Sequence, residues 1–260
     1  MASHQGSSEL PLVPMAETLI RAGVCDSVTI KGSMRGNPVE NFTAFVERPM
    51  ADIASRSVGA FDHLSDIYVN SFLADYAVRD TAAKLEKEGL QIHPRANAAG
   101  VNVILAAQMV DAAVLMYLRP EPIHARAVLV IARIALEVAA RGAWIAMGSG
   151  DEVEASSKEW IRPKRMLPSL ARLVSQREPS AASPKRVYFW LSEFAHMNLR
   201  TLAPLATNPP EQHGYAYASI AYSAWTSAIV AEYVVHGNVS EPDRFAKWPT
   251  VWPDPLPWAS

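Results

Sequence analysis

From about residue 51 onward, apolar side chains recur at the three- and four-residue spacing of helices, and proline and glycine mark where one helix stops and the next begins. The pattern predicts helices over about Asp52–Glu88 (closed by Gly89), Asn97–Leu118, Pro122–Met147, Asp151–Ile161, Leu167–Gln176, Pro184–Leu202 and Tyr215–Val235. Pro122 and Pro184 occupy favoured first-turn positions, Ser183 is a cap, and Gly148-Ser149-Gly150 ends the third helix. The expected fold is therefore an all-α bundle of six or seven helices over 51–236. Residues 1–50 form an irregular segment before it, with a small hairpin where Ser27–Lys31 and Asn41–Glu47 alternate polar and apolar.

The tail, 237–260, is read differently. It carries Trp248, Trp252 and Trp258 interleaved with Pro249, Pro253, Pro255 and Pro257, a composition that excludes helix and makes solvation of three indoles costly. An extended strap laid on the bundle is the expectation.

The helix Pro122–Met147 departs from a plain apolar pattern. Arg126, Arg133, Glu137 and Arg141 fall within roughly 80° of its circumference, with Val130 and Trp144 on the same side. This helix should be central, and its stripe is either a solvated edge with an ion-pair ladder or one wall of a pocket. A second polar set lies in Tyr188–Arg200. Val187, Trp190, Leu191 and Phe194 make one apolar face that also holds Asn198, while Tyr188, Ser192 and His196 share the other side. Polar groups set among large apolar ones need buried partners, and the two sets are candidates for each other. In such a pocket His196 is the acid or base, with Glu137 orienting Arg133 and Arg141 to hold an anionic group. Trp144, Tyr188, Ser192 and Asn198 complete the binding residues. As structural alternatives, His196 and Asn198 tie helices together and the stripe faces water.

Bulk properties narrow the field. The chain has 260 residues, half of them hydrophobic, and 24 basic against 26 acidic side chains give a net charge of -2, with no long basic run to favour a nucleic-acid partner. The lone Cys25 fits a reducing, cytoplasmic setting and rules out an intrachain disulfide. Met1–Leu12 lacks the basic start and apolar core of a secretory signal and reads as a mobile tail. Val101–Leu118, Ile123–Met147 and Tyr215–Val235 are apolar enough to consider as membrane spans. Asp111, the charged stripe and a Ser/Thr/Tyr-rich composition respectively assign them instead to a soluble bundle. The partner expected is a small molecule or a protein, and a homo-oligomer is compatible.

Recognised cofactor motifs are missing from the sequence: there is no glycine-rich dinucleotide or phosphate loop and no Gly-x-Ser-x-Gly elbow, so the cofactor is unspecified. Glu193-x-x-His196 and Glu121-x-x-His124 have the spacing of di-iron carboxylate bundles, with Asp62, Asp66, Asp75 and Asp111 as further carboxylates.

Arg133, Glu137 and Trp144, followed about 50 residues later by Tyr188, Leu191, Ser192 and His196, resemble the corresponding segments of a group of uncharacterised bacterial helical proteins frequent in actinobacteria. The resemblance spans roughly residues 100–235 and implies architecture more than activity. Through that group the chain is also distantly similar to HEPN domains, whose ribonuclease members use an Arg-x(4 to 6)-His motif. Arg119 to His124 and Arg56 to His63 have that spacing, interrupted by prolines and by Gly59 respectively.

Overall fold

The computed structural model describes residues 58–117, 122–148, 161–195, 209–239, 245–249, 252 and 258, without the side chains of 58–63, 65, 122–125 and 209–213. Among these residues there are six α-helices and no strand: α1 (Val58–Lys87), α2 (Pro94–Tyr117), α3 (Pro122–Met147), α4 (Pro163–Arg177), α5 (Pro184–Ala195) and α6 (Pro209–His236). The all-α bundle is thus as expected. The N-terminal hairpin, Cys25 and, apart from Ile161, the helix expected at Asp151–Ile161 lie outside the described residues.

Local chemistry explains most helix ends. Gly89 takes φ +68, and the Gly89 and Leu90 amides donate back to Glu86 and Leu85, so α1 closes on a left-handed residue that glycine adopts at no steric cost. The Ser183 carbonyl accepts from the Arg186 and Val187 amides at the start of α5. Two helix starts differ most from the sequence expectation. α4 begins at Pro163 and carries Pro168 inside it, and α6 begins at Pro209, well before Tyr215. In both, the leading proline sits in a first turn, where a missing N–H removes no helical bond.

Two helices share the centre. α3 packs against α2, α4, α5 and α6, and α6 packs against α1, α2, α3 and α4. Of the two, α6 is the more enclosed: every residue from Ala216 to Glu232 is buried, whereas α3 keeps one half-exposed edge. The expectation that Pro122–Met147 alone is central therefore needs α6 beside it. The reason is visible in α6 itself, where Ser219, Ser223, Thr226 and Ser227 are all fully buried. Their small size lets neighbours approach, and their hydroxyls are satisfied locally by carbonyls one turn back. The exception, Ser223, donates across to the Ala132 carbonyl of α3 at 2.9 Å. At Gly142 a Cβ would lie 3.4 Å from the Ala99 carbonyl, from Asn102 and from Val230, so α2, α3 and α6 meet there.

The described residues of the tail pack on this bundle as a strap. Trp258 is buried, and Trp248 and Trp252 lie against the main core. Trp248 meets Trp225 of α6 edge-on at 4.4 Å, and Trp252 lies 4.8 Å from Trp248. Trp258 contacts Tyr222 at 5.6 Å and Trp190 at 5.8 Å. Among the described residues one helix, α2, is long and apolar enough to cross a membrane, and it packs against α1, α3 and α6.

Candidate functional site

The seam between α3 and α5 brings together four of the residues singled out from sequence. Arg133 donates from Nε to Ser192 Oγ at 3.0 Å and from Nη2 to Tyr188 Oη at 2.6 Å. Each hydroxyl passes its own proton onward: Tyr188 donates to Glu137 Oε2 at 3.2 Å, and Ser192 donates to the Tyr188 carbonyl at 2.7 Å. Arg133 and Glu137, four residues apart on α3, close the ring with a 3.5 Å ion pair in which both side chains are 21% exposed. The Arg133 guanidinium carbon also lies 5.0 Å from the centre of the Tyr188 ring.

Helix geometry sets this up. Arg133 and Glu137 are one turn apart, as are Tyr188 and Ser192, so two rungs on α3 face two rungs on α5. Val187, Leu191 and Phe194 bury the neighbouring face of α5, which fixes its rotation, and Phe189 is left exposed. Trp144 is buried in the same core cluster as Tyr188 and Leu191. Arg141 is half-buried one turn beyond Glu137 and is engaged in an interaction of its own, while Arg126 at the other end of the stripe is exposed. The stripe is therefore neither wholly solvated nor wholly buried: its middle is taken up by α5.

Burial is the largest influence on Tyr188, pushing its phenol above its ordinary value, and the Glu137 carboxylate pushes the same way. Arg133 pulls it down but does not win. Tyr188 is consequently a neutral donor at physiological pH. Of the three guanidinium nitrogens Arg133 uses two within the protein, and Nη1 has no partner among the described residues. Glu137 Oε1 is in the same position, with only Oε2 engaged. A cation with a committed edge and a spare one, anchored at a helix interface and partly shielded from water, can take a carboxylate or phosphate oxygen.

His196 and Asn198 lie outside the described residues, as do Arg119, Glu121 and Arg56 and the side chains of Asp62, His63 and His124. Glu193 is exposed, Asp75 pairs with Arg79, and Asp111 accepts from Ser71 at 2.7 Å. Among the described residues no three His, Cys, Asp or Glu side chains converge to hold a metal ion. One set of polar residues was not singled out from sequence. The strap is anchored by Asn70, Arg177 and the fully buried Glu232, whose one signal was a carboxylate in the middle of the apolar run Ala228–Val235.

Comparison with protein families, with characterised proteins and with solved structures finds no match to this chain.

Proposed function

We propose that this protein is a soluble, cytoplasmic helical protein that binds a small anionic molecule at the seam between Pro122–Met147 and the helix starting at Pro184, with Arg133 as the anion-holding group. The observation that carries the reading is the Arg133 network. Two interhelical hydrogen bonds and one ion pair fix the guanidinium, while Nη1 has no partner among the described residues. Glu137 orients Arg133 through the ion pair and through Tyr188, and Arg141 adds a second positive charge one turn beyond Glu137, about two turns from Arg133. His196, four residues beyond Ser192, stands as the acid or base if the bound molecule is turned over. Asn198 and Trp144 complete the lining.

Thermal shift with inorganic phosphate and a series of mono- and dicarboxylates tests this. A ligand at 100 times its Kd adds about 2.7 kcal/mol, roughly 5–10 °C in Tm for a domain of this size. At least one probe should raise Tm in a dose-dependent way. Arg133→Gln should abolish that response while the helical circular-dichroism signal persists. If Arg133→Gln changes only the starting Tm and every ligand response survives, the network is a helix tie and the binding reading fails.

A further inference from the structure

The outer face of α2 carries a pattern that the bundle does not use. The inner face, Ala96, Ala99, Val103, Ala106, Val110, Ala113 and Val114, is buried against the other helices. On the opposite side Ala98, Val101, Leu105, Gln108, Ala112 and Leu115 follow one another at spacings of three, four, three, four and three. This is the heptad rhythm of a seam that receives another helix. Val101 is 56% exposed, Leu105 39% and Leu115 60%, with Gln108 exposed and the two alanines half-exposed. Leaving three large aliphatic side chains in water along a single rigid helix forfeits apolar burial that a partner helix would supply.

We infer that this seam is where two copies of the chain pair, with their α2 helices antiparallel. The order of sizes decides both partner and direction. With a twofold axis between Leu105 and Gln108, Ala98 faces Leu115 of the second copy, Val101 faces Ala112 and Leu105 faces Gln108. Every layer then sets a large side chain against a smaller or polar one. A parallel pair in register would place alanine on alanine in two layers and leave voids there. Gln108 near the axis is the kind of single polar position that fixes register.

The seam is about 26 Å long and alone falls short of the roughly 800 Å² per partner of a stable interface. Beside it lies an open groove of about 780 Å³ between the end of α1 and the start of α2, floored by Val78, Ala82, Leu90, Ile92 and Ile104 and sharing Val101 with the seam. Antiparallel pairing carries the Leu115 end of the second copy to this mouth, which extends the contact. A lipid surface needs no heptad spacing and disfavours Asp111, exposed beside the seam.

Sedimentation equilibrium of the full chain over concentrations on the order of 1 to 100 µM reads the outcome. The expected species is a dimer of twice the 28.4 kDa chain mass. Leu115→Lys should raise the dissociation constant at least tenfold with helicity unchanged. Adding Ala98→Glu to that variant should restore the dimer, because only the antiparallel register sets the introduced carboxylate of one copy against the introduced ammonium of the other. Gln108→Leu should tighten association tenfold or more, and it keeps the test open if Leu115→Lys does not fold. A monomer throughout, a dimer indifferent to Leu115→Lys and Gln108→Leu, or failure of the paired charges to restore it would overturn the inference. So would a chain that stays monomeric and binds phosphatidylglycerol vesicles through Leu115.

Discussion

Asn70→Ala should release the C-terminal strap without unfolding the bundle. At Ala246 and Lys247 four consecutive backbone groups are each taken by a side chain from elsewhere in the fold. The Ala246 amide donates to Glu232 Oε1 at 2.6 Å, and its carbonyl accepts from Arg177 Nη2 at 2.8 Å. The Lys247 amide donates to Asn70 Oδ1 at 2.9 Å, and its carbonyl accepts from Asn70 Nδ2 at 2.8 Å. Asn70 is fully buried on α1 and pairs with Lys247 as a neighbouring strand would. Truncation to alanine removes two neutral hydrogen bonds of about 1 kcal/mol each, so the strap loses about 2 kcal/mol. At a factor of ten per 1.4 kcal/mol, the population with a detached strap rises about 30-fold. Hydrogen exchange at the Lys247 amide should accelerate by that factor, and so should cleavage of the tail by a protease under conditions where reclosing is fast.

Asn70→Asp separates the donor from the acceptor. The aspartate keeps an oxygen for the Lys247 amide but sets its other oxygen against the Lys247 carbonyl, so near neutral pH it should release the strap more than alanine does. Its effect should recede as the pH falls and the carboxyl gains a proton that can donate. If exchange and cleavage in Asn70→Ala stay within about twofold of the parent, the tryptophan contacts hold the strap unaided and the anchoring argument is wrong.

Other expectations concern helix contact and ionisation. A Cβ at Gly100 would lie 2.8 Å from Val78 Cγ1, so Gly100→Ala sets an overpacking cost of about 1–3 kcal/mol against about 1 kcal/mol of helix propensity, for a net destabilisation of about 1 kcal/mol. In a Val78→Ala background that loss should disappear, and equal losses in denaturant titrations of both backgrounds would refute the contact. Burial, and after it the Asp111 carboxylate, pushes Tyr68 up to about 12. Burial, and after it Asp66 and Tyr117, does the same to Tyr217, while burial pushes Tyr222 well above 10. These phenols stay protonated in the fold while the unfolded chain releases their protons from about pH 10. Their contribution to stability is therefore intact below pH 10 and lost as the pH climbs towards 12. Tyrosinate absorbance should show a subset of the eight tyrosines ionising late and together with unfolding. Uniform titration near pH 10 with helicity retained would contradict this.

The sequence was legible where the signal is covalent and local, and less so where it depends on what a segment meets. Both ends of α3 follow from Pro122 and from Gly148 after Met147, because a missing N–H and a flexible backbone act on their own turn whatever surrounds them. Pro168, one residue into the helix expected from Leu167, lies well inside α4 instead. It removes one hydrogen bond to the Lys164 carbonyl, and Lys164 is exposed, so water can satisfy that group and α4 continues through the proline. The meeting of Arg133 with Tyr188 and Ser192 was readable because polar groups at one-turn spacing on otherwise apolar faces demand partners, and each set was the other's nearest match. The strap's anchor offered no such match. Asn70, Arg177 and Glu232 bond to main-chain atoms, which every residue carries alike, and Asn70 and Lys247 are 177 positions apart. A buried carboxylate such as Glu232 announces that something must reach it, but when that something is a backbone amide, side-chain pattern cannot name the residue. It follows that the strap can change sequence at the exposed Lys247 with little loss, provided it does not become proline, whereas Asn70, Glu232 and Ala246, whose methyl is buried in the core, cannot.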